Sequence, residues 1–137
     1  MVLEAVRAAK YLSNFGVECE IIDLCSPSDI DHGLVMESIK KTGKVIVADT
    51  SWVSFGTCAE ISRIICETGP QYLTKPVRNI GMQATPCPTA KALEDLYYPN
   101  QEKLISEIIS LVDINKEIPL PDEKSMADVY KKFKGPF

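Results

Sequence analysis

The sequence predicts an α/β domain with three layers, α/β/α, around a mostly parallel open sheet. Three observations carry this. Segments with helical hydrophobic spacing alternate with short strand-like runs, the order that builds a parallel sheet. The run Val45-Ile46-Val47-Ala48 is apolar and rich in β-branched residues, as suits a buried strand. Asp49, a polar loop with Gly56, and Thr57-Cys58-Ala59-Glu60 follow it, which reads as strand end, crest loop and helix start. In open α/β sheets, ligands and partners meet the protein at such strand ends.

The elements follow in order. Val2, Ala5, Val6, Ala9 and Leu12 recur at helical spacing, so 2–15 is a helix stopped by Gly16. Val17 to Leu24, VECEIIDL, alternates at its start and reads as a strand. Asp31 is the expected N-cap of a helix with Leu34, Val35 and Ile39 inward, Lys40 and Lys41 at its negative end, and Gly43 as its stop. After the central strand, a helix from Thr57 carries Ile61, Ile64, Ile65 and Cys66 inward until Gly69-Pro70. Pro76 to Met82 is a strand with proline at its first position, where proline is tolerated. A Pro-rich loop leads to a short helix through Leu93, Leu96 and Tyr97, ended by Pro99. Asn100 caps the next helix, whose stripe is Leu104, Ile105, Ile108, Ile109 and Val112.

The domain is expected to span 1–114, and 115–137 to form a linker and a short amphipathic helix. In that tail, Met126, Val129, Tyr130 and Phe133 fall at i, i+3, i+4 and i+7, a stripe for self-packing or for a partner. Three visible strands are few for such a sheet, and the first helix has neither a capping residue nor a strand before it. A missing N-terminal strand would explain both.

Composition excludes several function classes. A chain of 137 residues that is 45% hydrophobic and 25% charged fits one globular domain. A net charge of −4, a pI near 5.0 and dispersed basic residues argue against nucleic acid. No apolar run reaches the roughly 18 residues of a membrane span, and Glu4, Arg7 and Lys10 interrupt any signal-peptide core. The 5 cysteines, Cys19, Cys25, Cys58, Cys66 and Cys87, form no C-x-x-C, so free thiols in a cytoplasmic or organelle-matrix setting are expected.

The candidate residues have competing readings. Asp49 could be an acid or an interface residue; strand-end aspartate more often caps its own loop. Thr57 and Glu60 could mark an anion site, but Glu60 disfavours an anion and the T-x-x-E spacing fits a capping box. His32, the only histidine, falls in the first turn of a surface helix, away from a Cys–His nucleophile. One histidine and no cysteine pair leave no transition-metal set. Trp52 and Phe55, large aromatics in the crest loop, read either as interface anchors or as packing over the sheet edge.

Order and spacing also carry a family resemblance. Glu20 to Leu24, Lys41 to Gly43, Gly56 to Ile61, Pro76 to Gly81, Pro86 to Pro88, Leu93-Glu94 and Tyr98-Pro99 occur in a sequence that resembles the C-terminal domain of transketolase-like enzymes. It is most similar to the β subunit of thiamin-diphosphate-dependent 2-oxo acid dehydrogenases of the pyruvate, branched-chain and acetoin types. The resemblance covers about Met1 to Val112. Departures at Cys25-Ser26-Pro27, Asp49 and Met82-Gln83 bear on subfamily and substrate rather than on fold.

The resemblance implies that an apolar strand precedes the first helix, so Met1 is expected to be an internal start. It implies that thiamin diphosphate and its Mg ion are bound by upstream parts of the parent enzyme, not by this chain, which would have no catalytic, cofactor-binding or metal residues and no turnover alone. The implied partners are an α subunit and a second β subunit, with the acyltransferase core as a further one, in a homo-oligomeric assembly away from nucleic acid and membrane. Trp52, Phe55, Tyr130 and Phe133 are the candidate partner contacts. A chain without its first strand is expected to expose an edge or cavity there and to self-associate. The rival reading is a stand-alone α/β binding module of the anticodon-binding type, which RNA affinity with a steep salt slope would favour.

Overall fold

The computed structural model describes residues 1–114 and 117–121, with all side chains there except those of Lys91 and Asp95. The elements are α1 (Val2–Ser13), α2 (His32–Thr42), β1 (Ile46–Trp52), α3 (Thr57–Thr68), a 3-10 turn (Pro70–Tyr72), β2 (Arg78–Met82), α4 (Lys91–Tyr97) and α5 (Gln101–Val112). β1 and β2 pair in parallel, with Ile46 opposite Arg78 and Ala48 opposite Ile80. α3 supplies the crossover that a parallel pair requires.

The period-two alternation of β1 distributes its side chains to two cores. Val45 and Val47 face Val35 and Ile39 of α2 and Ile61 and Ile65 of α3. Ile46 and Ala48 face Ala8 and Leu12 of α1 and Leu104 and Ile105 of α5. The result is the helix–sheet–helix layering that the sequence predicts. Asp31 caps α2 by accepting the Leu34 N–H at 2.9 Å, and Gly43 ends it in the left-handed region at φ 66°. Asn100 caps α5 by accepting the Lys103 N–H at 2.9 Å.

The chain differs from its sequence expectations in several places. Val17 to Leu24 belongs to no ladder, and β1 and β2 make a two-stranded sheet. Its side chains still alternate as in a strand: Val17 and Cys19 join the α1/α5 core, while Ile22 and Leu24 join the α2/α3 core. A cleft of about 950 Å³ lies between this segment and β1, so its backbone has no neighbouring strand to bond. In α1 the buried residues are Ala8 and Leu12, with Val2 and Val6 exposed. Of the expected stripe, Leu12 is buried and Ala5 packs on the core, while docking against α5 brings Ala8 inward in place of Val2 and Val6. Leu34 is likewise exposed on α2 and Cys66 on α3. The expected helix at 125–133, with Tyr130 and Phe133, lies outside the described residues. Before it, Ile118 packs on the α1/α5 core and Tyr11 Oη donates to the Pro119 carbonyl at 2.6 Å.

One carboxylate locks two helices together. Glu4 on α1 accepts Arg7 Nη1 at 2.8 Å through one oxygen and the Gln101 N–H at 2.9 Å through the other. Gln101 is the first residue of α5, so Glu4 supplies a negative charge and an acceptor to the exposed donors of a helix amino end. The clasp ties the amino end of α5 to α1.

Candidate interaction site

The crest where β1 passes into α3 is the region the sequence marks out. β1 runs on to Trp52, so Asp49 stands inside the strand rather than at its end, next to a register irregularity between Ala48 and Trp52. Its carboxylate is occupied locally: Oδ1 accepts the Thr50 N–H at 2.7 Å and Oδ2 accepts the Ser51 hydroxyl at 2.7 Å. The loop-capping reading therefore describes it, and no acid–base partner stands against it among the described residues.

The capping box does not form. Gly56, not Thr57, is the N-cap of α3, and it makes no side-chain cap bond. Glu60 turns instead to Arg63, which donates through Nε at 3.0 Å and Nη2 at 2.7 Å. That hydrogen-bonded guanidinium holds the Glu60 carboxyl below its ordinary range. A bidentate guanidinium partner wins over a single backbone amide because its bonds are doubly charge-assisted. Gly56 is where it is for space: a Cβ there would lie 2.0 Å from the Trp52 carbonyl oxygen and 2.6 Å from Ser51 Oγ. The loop folds back on its own strand end, and only a residue without a side chain allows that.

This tight return places the aromatics. Phe55 adopts φ 60°, a left-handed conformation uncommon for a bulky residue, and its side chain is fully exposed at 104%. Trp52 is 49% exposed, and its Nε1–H donates to Tyr97 Oη at 3.3 Å. Tyr97 is buried and meets Tyr98 edge-on with ring centroids 5.1 Å apart. α4 thus anchors through Tyr97 and turns Leu93 and Leu96 to solvent, the latter 75% exposed. Of the four candidate contacts, the structure exposes Trp52 and Phe55 at one crest; Tyr130 and Phe133 lie outside the described residues.

The remaining chemistry-bearing residues are scattered. His32 is the exposed first residue of α2. Cys58 is fully buried beneath the crest, and its thiol meets the carbonyls of Val47 and Ile80, each at 3.6 Å. Burial, and secondarily the Asp49 charge, push this thiol up to about 11. It is protonated near neutral pH, the reverse of an activated nucleophile. Among the described residues no three His, Cys, Asp or Glu side chains gather as a metal site, and no helix is long and apolar enough to cross a membrane.

Sequence reasoning missed Tyr97 as the seat of Trp52, and nothing in the local spacing could have paired residues 45 positions apart. It also missed Gly81, where a Cβ would lie 2.5 Å from the Ser51 carbonyl. An isolated glycine inside a strand pattern is the signal that could have found it.

Comparison with known proteins places the sequence in a family. Residues 1–104 match the family described as Transketolase, C-terminal domain. The pyruvate dehydrogenase E1 component subunit beta of Rickettsia felis is 31% identical over 104 residues, covering 76% of this chain and 32% of that protein. The acetoin:2,6-dichlorophenolindophenol oxidoreductase subunit beta of Bacillus subtilis is 31% identical over 108 residues, covering 79% and 32%. The mitochondrial pyruvate dehydrogenase E1 component subunit beta-1 of Arabidopsis thaliana is 32% identical over 105 residues, covering 77% and 29%. The chain thus spans about a third of the length of these relatives, each of which is one subunit of a larger enzyme. Matched along most of its length, the chain belongs to the transketolase C-terminal domain family and is homologous to the β subunits of pyruvate dehydrogenase E1 components.

Proposed function

We propose that this domain is an assembly element of a thiamin-diphosphate-dependent 2-oxo acid dehydrogenase, and that its crest is a subunit contact. The observation that supports this most is Phe55: a large apolar ring held wholly in solvent by a left-handed backbone, beside a half-exposed Trp52. Unfavourable conformation and exposed aromatic surface together are what an interface anchor carries before its partner is in place. The anticodon-type alternative has the family match against it.

In this reading the parent enzyme decarboxylates a 2-oxo acid through thiamin diphosphate and passes the acyl group on, the hard chemistry being the cofactor's. The described residues do not fit that cofactor and its Mg ion. No metal-ligand cluster gathers, and the crest carboxylate is committed to its own loop. The domain's contribution is therefore surface: the crest meets the α subunit or a second β subunit, in the cytoplasm or an organelle matrix. Contact with the acyltransferase core, and a part for Tyr130 and Phe133 of the tail, belong to the same proposal.

The test is Phe55→Asp in the assembled parent enzyme. The expected result is a shift from assembled to free subunits in sedimentation, with the isolated domain's circular dichroism and melting point kept. Unchanged assembly of a Phe55→Asp, Trp52→Ala double variant would remove the crest from the interface.

A further inference from the structure

After α5 the chain turns back and runs into a groove. Ile118 packs on the α1/α5 core, Tyr11 Oη donates to the Pro119 carbonyl at 2.6 Å, and Leu120 then lines a groove of about 300 Å³. The other walls include Leu96 of α4, Tyr98, and Glu102, Lys103 and Glu107 of α5. That volume stands at the bottom of the range of roughly 300–1,000 Å³ for ligand clefts, which suits the side chains of a polypeptide.

Beside the groove, α4 turns apolar surface to solvent. Leu93 and Leu96 lie at i and i+3, so they share one face of the helix, and both are more than half exposed. Tyr98, next to them in the groove, is exposed as well. Scattered surface leucines are ordinary, but apolar side chains that adjoin one groove form a contact surface.

We propose that the occupant is residues 126–133 of this same chain, as a two-turn helix that lays Met126, Val129, Tyr130 and Phe133 over Leu96, Leu93 and the groove. The described path ends at Pro121, one residue beyond Leu120, so the segment sets out from the groove's own edge. Residues 122–125 reach at most about 14 Å. Two turns of helix are about 12 Å long and α4 about 10 Å, so the two match in length. Ser125, three residues before Asp128, is a fitting N-cap. Alone in water so short a helix is marginal, and it needs a surface to form. The short tether holds its stripe at an effective concentration on the order of millimolar, which favours it over a separate partner. Charge agrees: Lys131, Lys132 and Lys134 outnumber Asp128 on the segment, while Glu102 and Glu107 outnumber Lys103 in the groove. The family match ends at residue 104, so neither the segment nor Leu120 belongs to the matched part. The inference does not rest on the crest reading: it gives Tyr130 and Phe133 the part of seating the segment, whatever the crest meets.

Tryptic cleavage of the native full chain after Lys131, Lys132 and Lys134, timed by mass spectrometry, tests the docking. Leu96→Asp should speed it by about fivefold or more, since cleavage tracks the population of the undocked segment. Leu3→Asp, at an exposed leucine of α1, should leave it unchanged, and both variants should keep the parent's circular dichroism. In the reciprocal experiment, a Val129→Asp, Phe133→Asp double variant should speed hydrogen exchange of the α4 amides. Equal cleavage of the two leucine variants, or α4 exchange that does not respond to the double variant, overturns the proposal. So does cleavage that slows as protein concentration rises, which would give this face to a second copy.

Discussion

Gly56→Ala puts the crest geometry to its most direct test. The backbone at Gly56 has φ −90° and ψ −179°, which any residue adopts, so the conformation itself costs nothing. The obstacle is space. An added Cβ would stand 2.0 Å from the Trp52 carbonyl oxygen, where carbon–oxygen contacts normally close no further than about 3.3 Å. The loop must therefore open by more than roughly 1 Å against a backbone atom that cannot rotate aside. Overpacking of that kind costs about 3 kcal/mol, the upper part of the usual range. For a chain of this size that is a fall of roughly 10 °C in Tm. Thermal unfolding followed by circular dichroism reads the stability. Trp52, the only tryptophan, reads the crest directly by its emission. Gly16→Ala is the control, since nothing lies within 4 Å of its Cβ position and only its φ of +82° opposes the change; it should cost about 1 kcal/mol. A Gly56→Ala variant that melts with the Gly16→Ala variant and keeps the parent's Trp52 emission would refute the close return of the loop.

Other perturbations test other parts of the fold. Glu4→Ala removes the acceptor shared by Arg7 and the Gln101 amide, and should cost about 2 kcal/mol in urea unfolding; Glu4→Gln, which keeps an acceptor, should cost about half. Cys25, Cys66 and Cys87 are exposed, so they should react with a thiol reagent in the native state, whereas Cys58 should react only after unfolding. Because the Cys58 thiol is raised from about 9 to about 11 in the folded chain, the stability it contributes is present below its ordinary value and lost as pH rises through about 11. Cys58→Ala should flatten that alkaline loss. On the acid side, the hydrogen bond from Ser38, reinforced by Lys41, holds Glu20 below the ordinary carboxylate range, and that from Lys75 does the same for Asp113. Their contributions are present above that range and lost as pH falls through their folded values, so Glu20→Gln should reduce the slope of the urea midpoint below pH ~4.5.

The legible part of this protein is what one period or one residue type encodes. β1 was readable because four consecutive apolar residues have no other use in so short a chain. The α2 and α5 boundaries were readable because Asp31, Gly43 and Asn100 act through bonds to amides within a few positions. The family was readable because it rests on the order of many short matches, and the comparison bears it out. The capping box at Thr57 was misread because Arg63, a stronger partner three residues beyond Glu60, competes for the same carboxylate.

What only the tertiary structure decided are the relations between distant backbones. A strand exists by virtue of its neighbour, so the alternation in 17–24 could state which side chains face which core but not whether a ladder forms. The rotation of α1 was set by α5, through Leu104, Ile105 and the Glu4 clasp, not by its own hydrophobic spacing alone. Trp52 and Phe55 stood out in the sequence as large rings in a loop. Their exposure came from the fold: Gly56 folding back on the Trp52 carbonyl, and Tyr97 arriving from α4 to hold the indole. Sequence specifies such contacts only jointly, through every packing choice between the two positions.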